Sequence, residues 1–385
     1  MKIARLLVCS LRLLSASATV ATPLLLGVTL VACEDENDPK TWVKRLDDPA
    51  QRAKAIVRLG QFYEDRMNGA GNDAAAPDVK ALLDTILDPL TKQYTAGNLD
   101  DKTRGDLMKF LAETHDPRTA PALAKALNDW EMYKTDDEAR GACESILAMN
   151  KAGLKLDQNL IDALWNMFSK FSLAKYTALP KGSERLVRGL HDAVVAVHDP
   201  SYGDKAIEKL KVAVPDDPKN VDAQKDQLMF WQLTSVQVIK ELNYTKAVHQ
   251  LIATLLTPSK TGALGATIQF ALLKMAKDAN PELIKALNGG DPDYDKYKDS
   301  YKDKSNLGVI ARVMAQLGLP QARDAILAML PNVDTDTART ELAQALVELP
   351  DDGRCEQAYR DAYNKLTWDS TDELLGGLGP RIALA

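Results

Sequence analysis

The chain has 385 residues, 45% of them hydrophobic and 26% charged, with a formal net charge of −6. That balance belongs to a folded protein and excludes a disordered chain, a collagen or a multi-span membrane protein; the negative charge argues against general nucleic-acid binding. Four cysteines are too few for a disulfide-dense scaffold, and 6% aromatic residues with 21 glycines disfavour a β-sandwich or barrel.

Lys2, Arg5 and Arg12 are the only charged side chains in residues 1–32, and Leu13 to Ala32 is an uncharged apolar stretch broken by small polar residues and Pro23. A basic segment, an apolar core and small residues before a break read as a secretory signal peptide over 1–32. Leu30-Val31-Ala32-Cys33 resembles the lipobox of bacterial lipoproteins. The resemblance implies cleavage before Cys33, a diacylglycerol on its thiol and often a further acyl chain on the new α-amine. It also implies a lipid-anchored place in the bacterial cell envelope, the outer membrane being favoured over the inner with the target leaflet left open. A retained transmembrane helix, which needs about 20 apolar residues, and a plain cleaved signal are the competing readings. Two or three acyl chains hold a protein stably where one is marginal. Glu34, Asp35, Glu36 and Asp38 make 33–38 an acidic tether. Five extended residues reach at most about 18 Å, so the folded part is expected close to the bilayer.

From Pro39 onward apolar residues recur at helical spacing. Asp48-Pro49 leads to Arg52, Ala55, Ile56 and Leu59, and the Gly/Ala-rich run from Asn68 to Pro77 reads as a mobile loop. Asp101-x-x-Arg104 then leads to Leu107, Phe110 and Leu111, and Asp137-x-x-Arg140 to Cys143, Ile146 and Leu147. Asp336-x-x-Arg339 leads to Leu342, Ala345 and Leu346. The aspartate can cap or charge-stabilise the first turn, and the apolar positions form one stripe. A second frame marks partner helices: His115-Asp116-Pro117, His198-Asp199-Pro200, Asn280-Pro281 and Leu319-Pro320 each precede an apolar stripe. Proline at the first helical position needs no N–H, so these read as helix starts.

The stretches around 46–60, 100–149 and 303–350 resemble HEAT-like repeats, with the resemblance extending over about 42–366 and weakest at 157–260. It implies an all-α, HEAT/armadillo-like α-solenoid of stacked antiparallel helix pairs over 39–366, presenting its surface to a protein or peptide partner. About 14 helices are expected from the repeat spacing. Residues 157–260 depart from the pattern, with long helices around Trp165 and Trp231, and 367–385 read as a Gly-rich tail.

Chemistry is sparse. Cys143 and Cys355 fall on apolar stripes several pairs apart and read as small buried hydrophobes without a bridge between them. Asp291, Asp293, Asp295 and Asp299 match four positions of a calcium loop, but Lys296 and Lys302 stand where glycine and glutamate are needed; no metal is expected. Tyr294, Tyr297 and Tyr301 fall at helical spacing, as a short turn packed on the solenoid or a contact patch. His191 and His198, seven apart, would share a helix face. No catalytic motif is recognisable, so neither enzyme activity nor a cofactor is expected. The chain therefore reads as a lipid-anchored envelope scaffold or adaptor. The alternatives are an envelope enzyme whose pocket is not visible from sequence, such as the lyases found among HEAT-like families, and a purely structural envelope component.

Overall fold

The computed structural model describes residues 35–173, 183–212, 221–257, 262–295, 305–333, 336–349 and 353–366. Among these the chain is helical throughout, with no strand. The helices are α1 (Pro39–Arg45), α2 (Arg52–Gly69), α3 (Pro77–Ala96), α4 (Asp101–Glu113), α5 (Ala120–Asn128), α6 (Asp136–Lys151), α7 (Gln158–Lys170), α8 (Ser183–Ala196) and α9 (Tyr202–Leu210). They continue as α10 (Val221–Leu242), α11 (Val248–Leu256), α12 (Gly262–Lys274), α13 (Ala276–Asn288), α14 (Pro292–Asp295), α15 (Ser305–Gln316), α16 (Pro320–Met329), α17 (Asp336–Glu348) and α18 (Arg354–Tyr363). This exceeds the expected 14 chiefly through short pieces. The seven-residue α1 and four-residue α14 are too brief for periodicity to mark.

The helices form two layers. One is the row α2, α4, α6, α8, α10, α12, α15, α17; the other is α1, α3, α5, α7, α9, α11, α13, α16, α18. The chain alternates between the rows, so each successive pair lies against the one before. α14 is an insertion that packs on α11 between two pairs. One cluster of buried apolar side chains runs between the rows from Trp42 to Ala362, making an all-α solenoid.

The Asp-x-x-Arg frame builds the same local structure each time. Arg104 meets Asp101 at 2.9 Å, Arg140 meets Asp137 at 3.1 Å and Arg339 meets Asp336 at 2.8 Å. The stripes behind them are buried at Leu107 and Leu111, at Cys143 and Ile146, and at Leu342, Ala345 and Leu346. Asp100, one residue before the frame, accepts the Thr103 N–H and caps α4. Among the described residues Cys143 and Cys355 form no disulfide. Cys143 holds a leucine-type position because α8 comes close: a Cβ built on Gly189 would lie 3.6 Å from the Cys143 Cβ.

The crossing from the first row to the second has a recurring device. Asn72, His115, Gly153, His198, Asn243, Gly318 and Gly353 each stand at such a crossing with positive φ, from 49° at His115 and Asn243 to 85° at Gly353. A left-handed residue ends a helix and turns the chain back. The exposed His115 and His198 serve this backbone role, and His198 lies past the end of α8. It therefore shares no helix face with His191. Asn280-Pro281 also departs from expectation: Pro281 lies inside α13. Here the crossing is made at Met275, with φ −101°, and the helix begins before the proline.

The described residues within 157–260 keep the two-row alternation. Their sequence looks different because the core there is aromatic. Trp130 stacks on Phe171, Phe230 meets both Phe168 and Phe171, and Trp165 meets Phe168 and Tyr202. Bulky rings fill the space that alanines and leucines fill elsewhere, which blurs the repeat register.

A polar knot ties three helices. Tyr94 on α3 donates to Glu138 Oε2 of α6 at 2.5 Å, and Arg104 Nε of α4 donates to Glu138 Oε1 at 3.0 Å. Glu138 is buried, and burial together with Glu138 pushes the Tyr94 hydroxyl well above the ordinary phenol range. Glu138→Ala strands both donors and is expected to lower unfolding free energy by about 2–3 kcal/mol, with Tyr94→Phe costing less; urea melts check this. At the exposed His115, glycine is expected to match wild-type stability to within about 0.5 kcal/mol, whereas valine loses about 1–2 kcal/mol because a β-branched residue resists positive φ. Thermal melts of the two variants distinguish a backbone role from a side-chain role.

Candidate functional site

Cys33, the signal segment 1–32, Tyr297, Tyr301 and the tail 367–385 lie outside the described residues. Of the residues expected as an acidic tether, 35–38 take part in local structure. The Asp38 N–H donates to the Asp35 carbonyl at 3.1 Å, and the Asp38 carboxylate accepts the Lys40 N–H and so caps α1. The Trp42 indole N–H donates to the Glu36 carbonyl at 2.9 Å, and the Glu36 carboxylate lies 3.5 Å from Arg45. Residues 35–38 are thus folded onto α1, and only Cys33 and Glu34 of the tether precede them.

Tyr294 is no contact residue: it is 0% exposed. Its ring stacks on His249 with centroids 4.8 Å apart, and its hydroxyl donates to Glu282 Oε2 at 3.0 Å. Burial first, and then the Glu282 charge, raise its pKa above the phenol range. Asp295 accepts the Gly290 N–H and shapes the entry to α14. Asp291 and Asp293 turn instead toward His249 of α11, whose Nε2 lies 3.4 Å from Asp291 Oδ2 and 3.9 Å from Asp293 Oδ2. The calcium-loop spacing could not reveal this, because the imidazole comes from an earlier helix pair.

The second row carries an open groove of about 650 Å³ where α3, α5 and α7 adjoin. Pro117, Pro121, Ala120 and Ala124 line its apolar part, and Asn128 and Asn159 stand on its rim. Asp157 caps α7 and so fixes the rim around Asn159. The charges beside the groove are internally matched. Arg118 binds Asp84 at 2.7 Å and Asp116 at 2.8 Å, and Lys125 binds Asp129 at 2.5 Å. Asp116 is accordingly held below the usual carboxylate range, its bonds to Arg118 outweighing burial, the largest single influence on it. Nothing in the sequence frames marked this groove, since its walls come from three separate pairs.

The remaining candidate groups have structural partners. Burial pushes the Cys143 thiol up to about 12, which leaves it protonated and a poor nucleophile near neutrality. His191 of α8 is half-buried, with Nδ1 2.8 Å from the hydroxyl of Thr234 on α10. Comparison of the chain with protein-family models and with curated proteins finds no match. Among the described residues no helix is long and apolar enough to cross a membrane.

Burial lowers the His191 pKa from its ordinary 6.5. The folded state therefore holds this imidazole neutral where the unfolded chain protonates it. Its contribution is fully present above pH 6.5 and is lost as pH falls through the lowered folded value. In His191→Gln the fall of melting temperature between about pH 7 and pH 5 is expected to be shallower than in wild type; equal slopes would exclude this coupling.

Proposed function

We propose that this chain is a non-catalytic adaptor of the bacterial envelope, anchored by lipid on Cys33, that holds a protein or peptide segment against its second row of helices. The observation that carries the reading is the groove between α3, α5 and α7. Its floor of proline and alanine gives shallow apolar contact. The exposed Asn128 and Asn159 carry carboxamides, which both donate and accept and so can pair with a peptide backbone. Because Arg118 and Lys125 are already matched by aspartates, the groove favours a partner of little net charge over a phosphate or a nucleic acid.

The lipobox supports the anchor. With Glu36 pinned to Trp42, an acylated Cys33 would stand within about 7–10 Å of the folded body and bring α1 against the bilayer. Solenoids of stacked pairs offer long surfaces of this kind to partners, and a few anchor contacts supply most of the affinity.

The test uses the full chain expressed in a bacterium. Metabolic labelling with a fatty acid is expected to mark wild type and to be lost in Cys33→Ser, which should also leave the membrane fraction. Cross-linking from the groove is expected to capture one recurring envelope protein, with capture falling at least about tenfold in Pro121→Glu and Asn128→Arg. Unlabelled wild type would overturn the anchor, and capture unchanged by both groove variants would overturn the binding surface.

A further inference from the structure

We propose that His249, Asp291 and Asp293 form a binding site for one divalent transition-metal cation of the zinc class. Three ligand atoms, His249 Nε2 and one oxygen from each carboxylate, lie within 4.8 Å of one another. Around a cation with N and O bonds of about 2.0–2.2 Å, tetrahedral ligand atoms stand about 3.3–3.6 Å apart. The 3.4 Å between Nε2 and Asp291 Oδ2 meets that spacing. The 3.9 Å to Asp293 Oδ2 closes by a small rotation of an exposed side chain. Neither separation is a good hydrogen bond, which would place the atoms at about 2.7–3.2 Å. Two carboxylates straddle one imidazole nitrogen without either closing on it.

The groups behind the ligands hold them in place. The His249 ring lies on Tyr294 at an interplanar angle of 28°. Tyr294 is itself buried and bound to Glu282. Asp291 Oδ1 accepts the Asp293 N–H at 2.9 Å, which leaves Oδ2 as the oxygen nearer the imidazole. Such outer contacts fix ring orientation in metal sites. Two carboxylates neutralise a divalent charge. The neighbouring Lys285 is engaged by Glu282 at 2.5 Å, which moderates its repulsion of a cation. One imidazole with two carboxylates suits zinc-like ions, whereas calcium and magnesium prefer oxygen ligands throughout. The bound ion would clip the inserted α14 onto α11, with water completing its coordination.

Calorimetric titration of the full chain in detergent, stripped by chelator, tests this with zinc, calcium and magnesium in parallel. One equivalent of zinc is expected to bind, at least about tenfold more tightly than either alternative, and to raise Tm. Asp293→Asn and His249→Gln are each expected to weaken binding by at least about tenfold. His115→Gly should leave it unchanged. Failure of wild type to take up zinc, uptake unaffected by both ligand variants, or tighter binding of calcium or magnesium would overturn the proposal.

Discussion

An amphipathic helix pair cannot cover its own apolar faces, and this single constraint organises the molecule. Each pair presents one face to the pair before and another to the pair after, so burial is shared along the stack rather than gathered at one centre. The core consequently runs as a continuous seam from Trp42 to Ala362. Close approach is part of the arrangement. A Cβ on Gly203 would come within 2.6 Å of the Tyr244 ring, so α9 and the turn before α11 can meet only because that position has no side chain. The same logic sets Cys143 opposite Gly189.

Polar contacts are added where rows adjoin, and they differ from pair to pair even when the local motif is the same. Arg104, Arg140 and Arg339 each bind the aspartate three residues earlier. Beyond that shared contact they diverge. Arg104 reaches across to the buried Glu138, Arg140 closes on Glu144 of its own helix, and Arg339 donates to the Val333 carbonyl. The first of these links three helices, whereas the second is exposed and contributes little. A repeated sequence frame thus secures a repeated helix start, while the energetic weight of its arginine depends on what the neighbouring pair supplies.

The groove and the His249 cluster share one physical origin. Both lie on the second row, and both are assembled from elements of different pairs. The groove joins α3, α5 and α7, and the cluster joins α11 to the insertion at α14. An acyl chain on Cys33 would fix the opposite condition, the end of the stack, because Glu36 is already held by Trp42. Stacking therefore does more than stabilise. It sets side chains from distant stretches side by side on one surface.

Local residue order was enough for the helical class, the paired organisation, the Asp-x-x-Arg starts and the burial of Cys143, because 3.6-residue periodicity and capping act within a few positions. It also exposed the His-Asp-Pro turns, although not their unity with Gly153, Asn243 and Gly318, which share a positive φ but no single residue type. It misread Asn280-Pro281, since a proline that often opens a helix can also sit within one. It left Tyr294 between a packed turn and a contact patch. Only the tertiary packing decided that Tyr294 is buried on His249, that Glu36 is held by Trp42, and that Asp291 and Asp293 face an imidazole. The reason is geometric: periodicity records which face of a helix is apolar, but which other helix comes to lie against that face is settled by the stacking of whole pairs.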